Sequence, residues 1–305
     1  MAKTIISVKD LQKKYGDFEA VKGISFDVLE GEIFGLLGPN GAGKSSTLEI
    51  IETLRDKTSG VVTVDGFDLD RSPDAIKKII GVQLQTSGYY PGLNLSELIE
   101  LFSGLYNRSV NVKDLLGLVN LQDKAKAKYK ELSGGQKQRF SIATTLINQP
   151  KIIFLDEPTT GLDPQARRNL WDLIKDIRDK GTTVIITTHY MDEAEVLCDR
   201  VAIIDAGKII AINSPGSLID DLVATGFRRQ QDVKKASLED VIEEDPQLNE
   251  HRKLLVRLES SVYKFAGETN PELLKKVQDI YADKTVDNKT TLTRILAELA
   301  SVPAV

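Results

Sequence analysis

The sequence predicts an α/β protein, a parallel sheet covered by helices on both faces, and three observations carry that prediction. Short, continuously apolar, β-prone runs at 33–37, 152–155 and 184–186 are separated by segments of helical spacing, the pattern of strands buried on both sides. Each run opens directly onto polar residues: G-P-N-G-A-G-K-S-S at 38–46, then Asp156-Glu157, then Thr187-Thr188-His189. In open α/β sheets, ligands collect at such carboxyl ends. Ahead of them, V-K-G-I-S-F-D-V-L-E at 21–30 alternates apolar and polar positions, as half-exposed antiparallel strands do.

A chain of 305 residues has room for one large α/β domain with a smaller companion. The single cysteine, Cys198, excludes an internal disulfide and reads as inert packing. With no charged-then-apolar leader after Met1, the expected compartment is reducing and cytoplasmic. No apolar run approaches the length of a spanning helix, so a membrane role would be peripheral, at the cytoplasmic face and through a partner chain. A net charge of -5 argues against a nucleic-acid partner, which calls for a basic face.

The first domain is expected to span 1–217. After the N-terminal antiparallel β subdomain and the first buried strand comes a helical subdomain at about 86–150, where Leu98, Leu101, Phe102 and Leu105 fall at helical spacing. Within it, L-S-G-G-Q-K-Q-R-F at 132–140 has the form of a helix start built to hold an anion. Ser133 is a good N-cap, Gly134 and Gly135 allow close approach, and Phe140, Ala143, Thr144 and Ile147 follow on one face. A hairpin at 201–212 closes the domain. A small C-terminal α+β domain is expected over 218–305, with a strand at 254–259 and helices carrying Leu273, Leu274, Val277, Ile280 and Tyr281, then Leu292, Ile295, Leu296 and Leu299. It contains no motif of chemistry.

Gly38, Gly43, Lys44 and Ser45 complete the pattern G-x-x-x-x-G-K-[S/T] between a strand and a helix, the setting that makes a P-loop NTPase core of it. The loop of Gly38, Pro39, Asn40, Gly41, Ala42, Gly43, Lys44, Ser45 and Ser46 would surround the phosphates of ATP with its backbone N–H groups, Pro39 alone having none to give. Lys44 would reach the β and γ oxygens, and Ser45 would offer its hydroxyl to Mg²⁺. Asp156 and Glu157 are neighbours on a strand, where side chains alternate, so they need separate roles. Asp156 suits Mg²⁺, and Glu157 suits the general base that polarises the attacking water, worth about two to four orders of magnitude in rate. A lone histidine is more often structural, but His189 ends the third strand and can donate to a γ-phosphate oxygen. His251, in a charged stretch, is given no function.

The P-loop, L-S-G-G-Q, I-I-F-L-D-E-P, G-L-D and T-T-H occur in the order and spacing of the ATP-binding cassette family, which residues 3 to about 215 therefore resemble. The resemblance implies a head-to-tail dimer of two cassettes closing on two ATP molecules. Ser133, Gly134, Gly135 and Gln136 would then read the nucleotide held by the second subunit, and Asp163 would lie at the interface. Alone, Asp163 is also a capping aspartate before Pro164. The resemblance further assigns Tyr15 to adenine stacking and Gln85 to Mg²⁺ and the link to the helical subdomain, with Gln83 a rival for that position. G-L-D-P with T-T-H-Y-M-D-E-A-E is similar to the subgroup that powers ABC-2 type exporters, including drug-resistance pumps. That implies an integral membrane permease as partner; the alternative is a cassette ATPase not linked to transport.

Overall fold

The computed structural model describes residues 3–83 and 88–219, all but the last of which fall in one unit, Met1–Leu218. The strand and helices expected after residue 219, and Gln85, lie outside the described residues.

Strands β1 (Thr4–Tyr15) and β2 (Phe18–Leu29) form an antiparallel hairpin. They are followed by β3 (Ile33–Leu37), α1 (Lys44–Ile51), β4 (Ser59–Val64), β5 (Phe67–Asp68), α2 (Pro73–Lys77) and β6 (Ile80–Gln83). The helical subdomain contributes α3 (Leu95–Leu105), α4 (Val112–Leu118) and α5 (Gly134–Thr145). The chain then alternates through β7 (Ile152–Asp156), α6 (Pro164–Asp179), β8 (Thr183–Thr188), α7 (Met191–Leu197), β9 (Arg200–Asp205) and β10 (Lys208–Asn213).

Two sheets result. One is antiparallel, in the order β2-β1-β4-β5; the other has the order β10-β9-β3-β8-β7-β6. All neighbours in the second sheet are parallel except β10, which runs antiparallel along β9 at one edge. The three apolar runs are β3, β8 and β7, at its centre. Two more parallel strands flank them: β6, whose short I-G-V-Q carries too little apolar signal to stand out, and β9, half of the expected hairpin.

Successive strand residues face opposite sides, so each central strand feeds two cores. Phe34, Leu36, Ile152, Phe154 and Ile185 pack with Leu48 and Ile51 of α1 and with the antiparallel sheet. Ile33, Leu37, Ile153, Leu155, Val184 and Ile186 pack with Phe140, Leu170 and Ile174 of α5 and α6. Parallel strands buried on both faces cannot alternate with polar residues, which is why these runs read as unbroken apolar stretches.

Helix α3 starts at a reciprocal cap: Asn94 Oδ1 accepts from the Glu97 N–H, and a Glu97 carboxylate oxygen accepts from the Asn94 N–H. Its inward face differs from the expected one. Leu95, Leu98 and Ile99 are buried, Phe102 packs against them, Leu101 is half-buried, and Leu105 is 73% exposed. The helix leaves the core at its last turn, so the i+7 position faces solvent.

Phe154 is fully buried at the centre of the sheet against the α1 layer. Replacing it by alanine removes that contact and leaves a cavity, so Phe154→Ala should lower the unfolding free energy by about 3–5 kcal/mol in urea titration. A loss below about 1 kcal/mol, the size of an ordinary surface change, would contradict this packing.

Candidate nucleotide site

The loop from β3 to α1 is held by its glycines. At Gly43, the N-cap of α1, φ is 103°, a left-handed conformation that disfavours any side chain. A Cβ at Gly38 would lie 2.0 Å from the backbone oxygen of Ile204, so β9 leaves room only for hydrogen there. The Thr47 hydroxyl donates to the Gly43 carbonyl at 2.9 Å and ties the loop to the helix. Lys44 is buried, with Nζ donating to Gly38 O at 2.8 Å and Pro39 O at 3.1 Å, and standing 3.6 Å from Glu157 Oε1. The ammonium is thus aimed across the loop toward the carboxylate edge of β7.

Parallel pairing brings that edge into place. Leu37 lies beside Thr188, and Asp156 beside Thr187. Asp156 Oδ1 accepts from the Ser45 hydroxyl at 3.3 Å and from the Thr187 hydroxyl. Burial pushes the Asp156 carboxyl above its ordinary value, the two hydroxyls oppose that by hydrogen bonding, and the neighbouring Glu157 charge pushes it up further. Ser45 and Asp156 are hard oxygen donors on one spot. Among the described residues, no group of three His, Cys, Asp or Glu side chains could hold a metal. One hydroxyl, one carboxylate and phosphate oxygens are a donor set suited to Mg²⁺, which keeps few protein ligands.

The two adjacent carboxylates part ways by a sharper device than strand alternation. Glu157 has φ 46°, a left-handed conformation that is rare outside glycine, so the chain turns as β7 ends. Its N–H is fixed by the Thr187 carbonyl at 3.2 Å and the Thr187 hydroxyl at 3.0 Å. Its carboxylate lies between Lys44 and His189, with His189 Nδ1 3.3 Å from Oε1. That nitrogen is buried and close, but outside hydrogen-bond alignment. A base candidate, a buried ammonium and an imidazole therefore meet at one point above the P-loop.

The remaining expected residues fall in two places. Tyr15 is partly exposed at the end of β1, its hydroxyl 3.2 Å from Ser46 Oγ, with Lys13 Nζ 5.0 Å and Arg55 Cζ 5.4 Å from the ring centroid. It stands beside the P-loop helix with two cations over its ring. Gln83, by contrast, is buried at the end of β6 with Oε1 unpartnered. Cys198 is buried in the core, where desolvation pushes its thiol up, as packing requires.

Ser133 is exposed and caps α5 reciprocally: its hydroxyl accepts from the Gln136 N–H at 3.3 Å, and Gln136 Oε1 accepts from the Ser133 N–H at 2.9 Å. Asp163 caps α6, with Oδ1 accepting from Gln165 N at 3.0 Å and Ala166 N at 2.8 Å. The two caps line one concavity of about 200 Å³ with Gly134, Gly135 and Gln136, and none of the residues around it comes from 38–46. The signature concavity and the P-loop are therefore separate surfaces of the described residues. The sequence places Thr187 at this edge but gives it no role; its hydroxyl serves both Asp156 and the Glu157 N–H.

Fold and site define a P-loop ATPase with a second, separate helix start at Ser133. The protein-family model described as ABC transporter matches residues 21–160. Nod factor export ATP-binding protein I of Rhizobium etli is 41% identical over 228 residues, 73% of this chain and 72% of that protein. Linearmycin resistance ATP-binding protein of Bacillus subtilis is 39% identical over 223 residues, 72% of each chain. Among solved structures, a dimeric post-hydrolysis ATP-binding cassette bound to ADP and Pi is 29% identical with a TM-score of 0.62, covering 69% of this chain and 98% of that one. An ATP-binding subunit of an ABC transporter is 29% identical with a TM-score of 0.64, covering 79% and 99%. The chain belongs to the ATP-binding cassette family and is an ATPase of that type.

Because a Cβ at position 38 would meet backbone rather than a movable side chain, Gly38→Ala should displace the loop. Titration with a fluorescent ATP analogue should show affinity reduced on the order of tenfold or more, as expected when a fixed phosphate contact is lost. Unchanged affinity would mean that the β9 wall yields freely.

Proposed function

We propose that this protein is the MgATP-hydrolysing subunit of an exporter of the ABC-2 type, working as a head-to-tail dimer. The observation that carries the dimer is the separation of the signature concavity from the P-loop: Ser133 and its glycines face solvent on a surface to which no P-loop residue contributes. A second copy supplies the missing half. Its P-loop would present the γ-phosphate to Ser133, Gly134, Gly135 and Gln136 of this chain, with Asp163 at the seam.

Within each site, the loop 38–46 holds the phosphates, Lys44 reaches the β and γ oxygens, and Tyr15 stacks on adenine. Ser45 and Asp156, with Gln85, would hold Mg²⁺, which supplies charge neutralisation on the phosphates. Glu157 accepts the proton of the attacking water, and His189, at 3.3 Å from Glu157, donates to the γ-phosphate. Closure on ATP and reopening after hydrolysis would move an attached membrane permease. Support for export comes from relatives named for Nod factor export and linearmycin resistance. No helix among the described residues is long and apolar enough to cross a membrane.

Glu157→Gln tests the division of labour. The cradle survives and the base is lost, so ATP should bind as before while turnover falls by about two to four orders of magnitude. Light scattering should then show a stable dimer with MgATP and monomer without it. A variant that hydrolyses at the parental rate would remove Glu157 from the reaction.

A further inference from the structure

Helix α7 carries a carboxylate that the hydrolytic reading leaves unused. Glu193 is 0% exposed, a position in which an unpaired charge is strongly disfavoured. Its Oε1 accepts from the Trp171 indole N–H of α6 at 3.1 Å. Burial pushes its carboxyl above the ordinary value, and the neighbouring hydroxyls of Thr188 and Thr159, the indole and the Arg167 charge oppose that without overcoming it. These neighbours come from three places: Thr188 is the residue before His189, Thr159 stands in the turn from Glu157 to Asp163, and Trp171 and Arg167 belong to α6.

Arg167 extends the set, with its guanidinium 3.2 Å from Asp192 and 4.6 Å from the Tyr190 ring centroid. Yet Glu193 Oε2, Thr159 Oγ1 and Arg167 Nε are buried without a completed hydrogen bond. A core network that is half satisfied is costly for stability alone and is sensitive to small shifts of the elements that share it. The elements sharing this one carry His189 on one side and the Glu157–Asp163 turn on the other.

We propose that Glu193 is a positioning residue for ATP hydrolysis, a buried tie that sets the His189 end of β8 and the Glu157–Asp163 turn against α6. This rests on the reading that Glu157 and His189 act on ATP. Glu193 does not touch nucleotide; it fixes the distance between groups that do. A displacement of about 1 Å at such a site costs up to a hundredfold in rate.

The test uses the full chain and steady-state ATP turnover. Glu193→Ala should lower kcat on the order of ten- to a hundredfold, with KM and the affinity for an ATP analogue changed by less than about threefold, because the cradle is untouched. Glu193→Gln, whose amide oxygen still accepts from Trp171 and whose amide nitrogen can donate to the threonine hydroxyls, should keep kcat within about threefold of the parent. Trp171→Phe keeps an aromatic ring and removes only the donor; it should lower kcat in the same sense, and it carries the test if Glu193→Ala does not fold. Variants that melt earlier but keep kcat, or a Gln variant as slow as the Ala variant, would overturn the proposal. Glu157→Gln measured alongside separates the two claims: parental turnover there would sink the hydrolytic reading itself.

Discussion

The site depends on one register. In the pairing β3-β8-β7, Leu37 sits beside Thr188 and Asp156 beside Thr187, so three chain segments end at the same level of the sheet. A parallel sheet requires that all its strands emerge on one edge, and burial on both faces locks their register, because a one-residue slip would exchange the two cores. From that constraint follow the P-loop, the two carboxylates and His189 as a single cluster, although the P-loop lies more than a hundred residues before the others in sequence.

Polar groups at that edge are held in place by one another. Lys44 is buried against two carbonyls of its own loop and the Glu157 charge, Glu157 is turned by a positive φ that Thr187 fixes, and Thr187 also donates to Asp156. Donors and acceptors fixed before substrate arrives do not need to reorganise during reaction, the condition under which electrostatic stabilisation is strongest. The cost is strain and partial desolvation, visible in the backbone of Glu157 and in the raised Asp156 carboxyl.

Much of this was legible in the chain. The three buried strands announced themselves because parallel strands carry unbroken apolar runs, and Gly38 and Gly43 because their positions leave little room for side chains. The caps at Ser133 and Asp163 followed from local hydrogen-bond chemistry. What escaped was non-local. Strand β6 is too short to show a period, and Leu105 shares the apolar spacing of α3 but is exposed because the helix leaves the core at its last turn. M-D-E-A-E carries no local signal for the burial of Glu193, since burial of a single carboxylate is decided by the helix that packs over it. The left-handed turn at Glu157 has no sequence signal of the kind glycine gives.

At the centre of the account is a nucleotide shared between two copies of the chain. The most direct measurement is a structure of the hydrolysis-deficient protein with MgATP, reading the distance from Ser133 Oγ to the nearest γ-phosphate oxygen. The account predicts hydrogen-bond distance, about 2.6–3.2 Å, to the ATP cradled by the other copy's P-loop. Ser133 left in solvent, or in contact with ATP bound by its own P-loop, would contradict it.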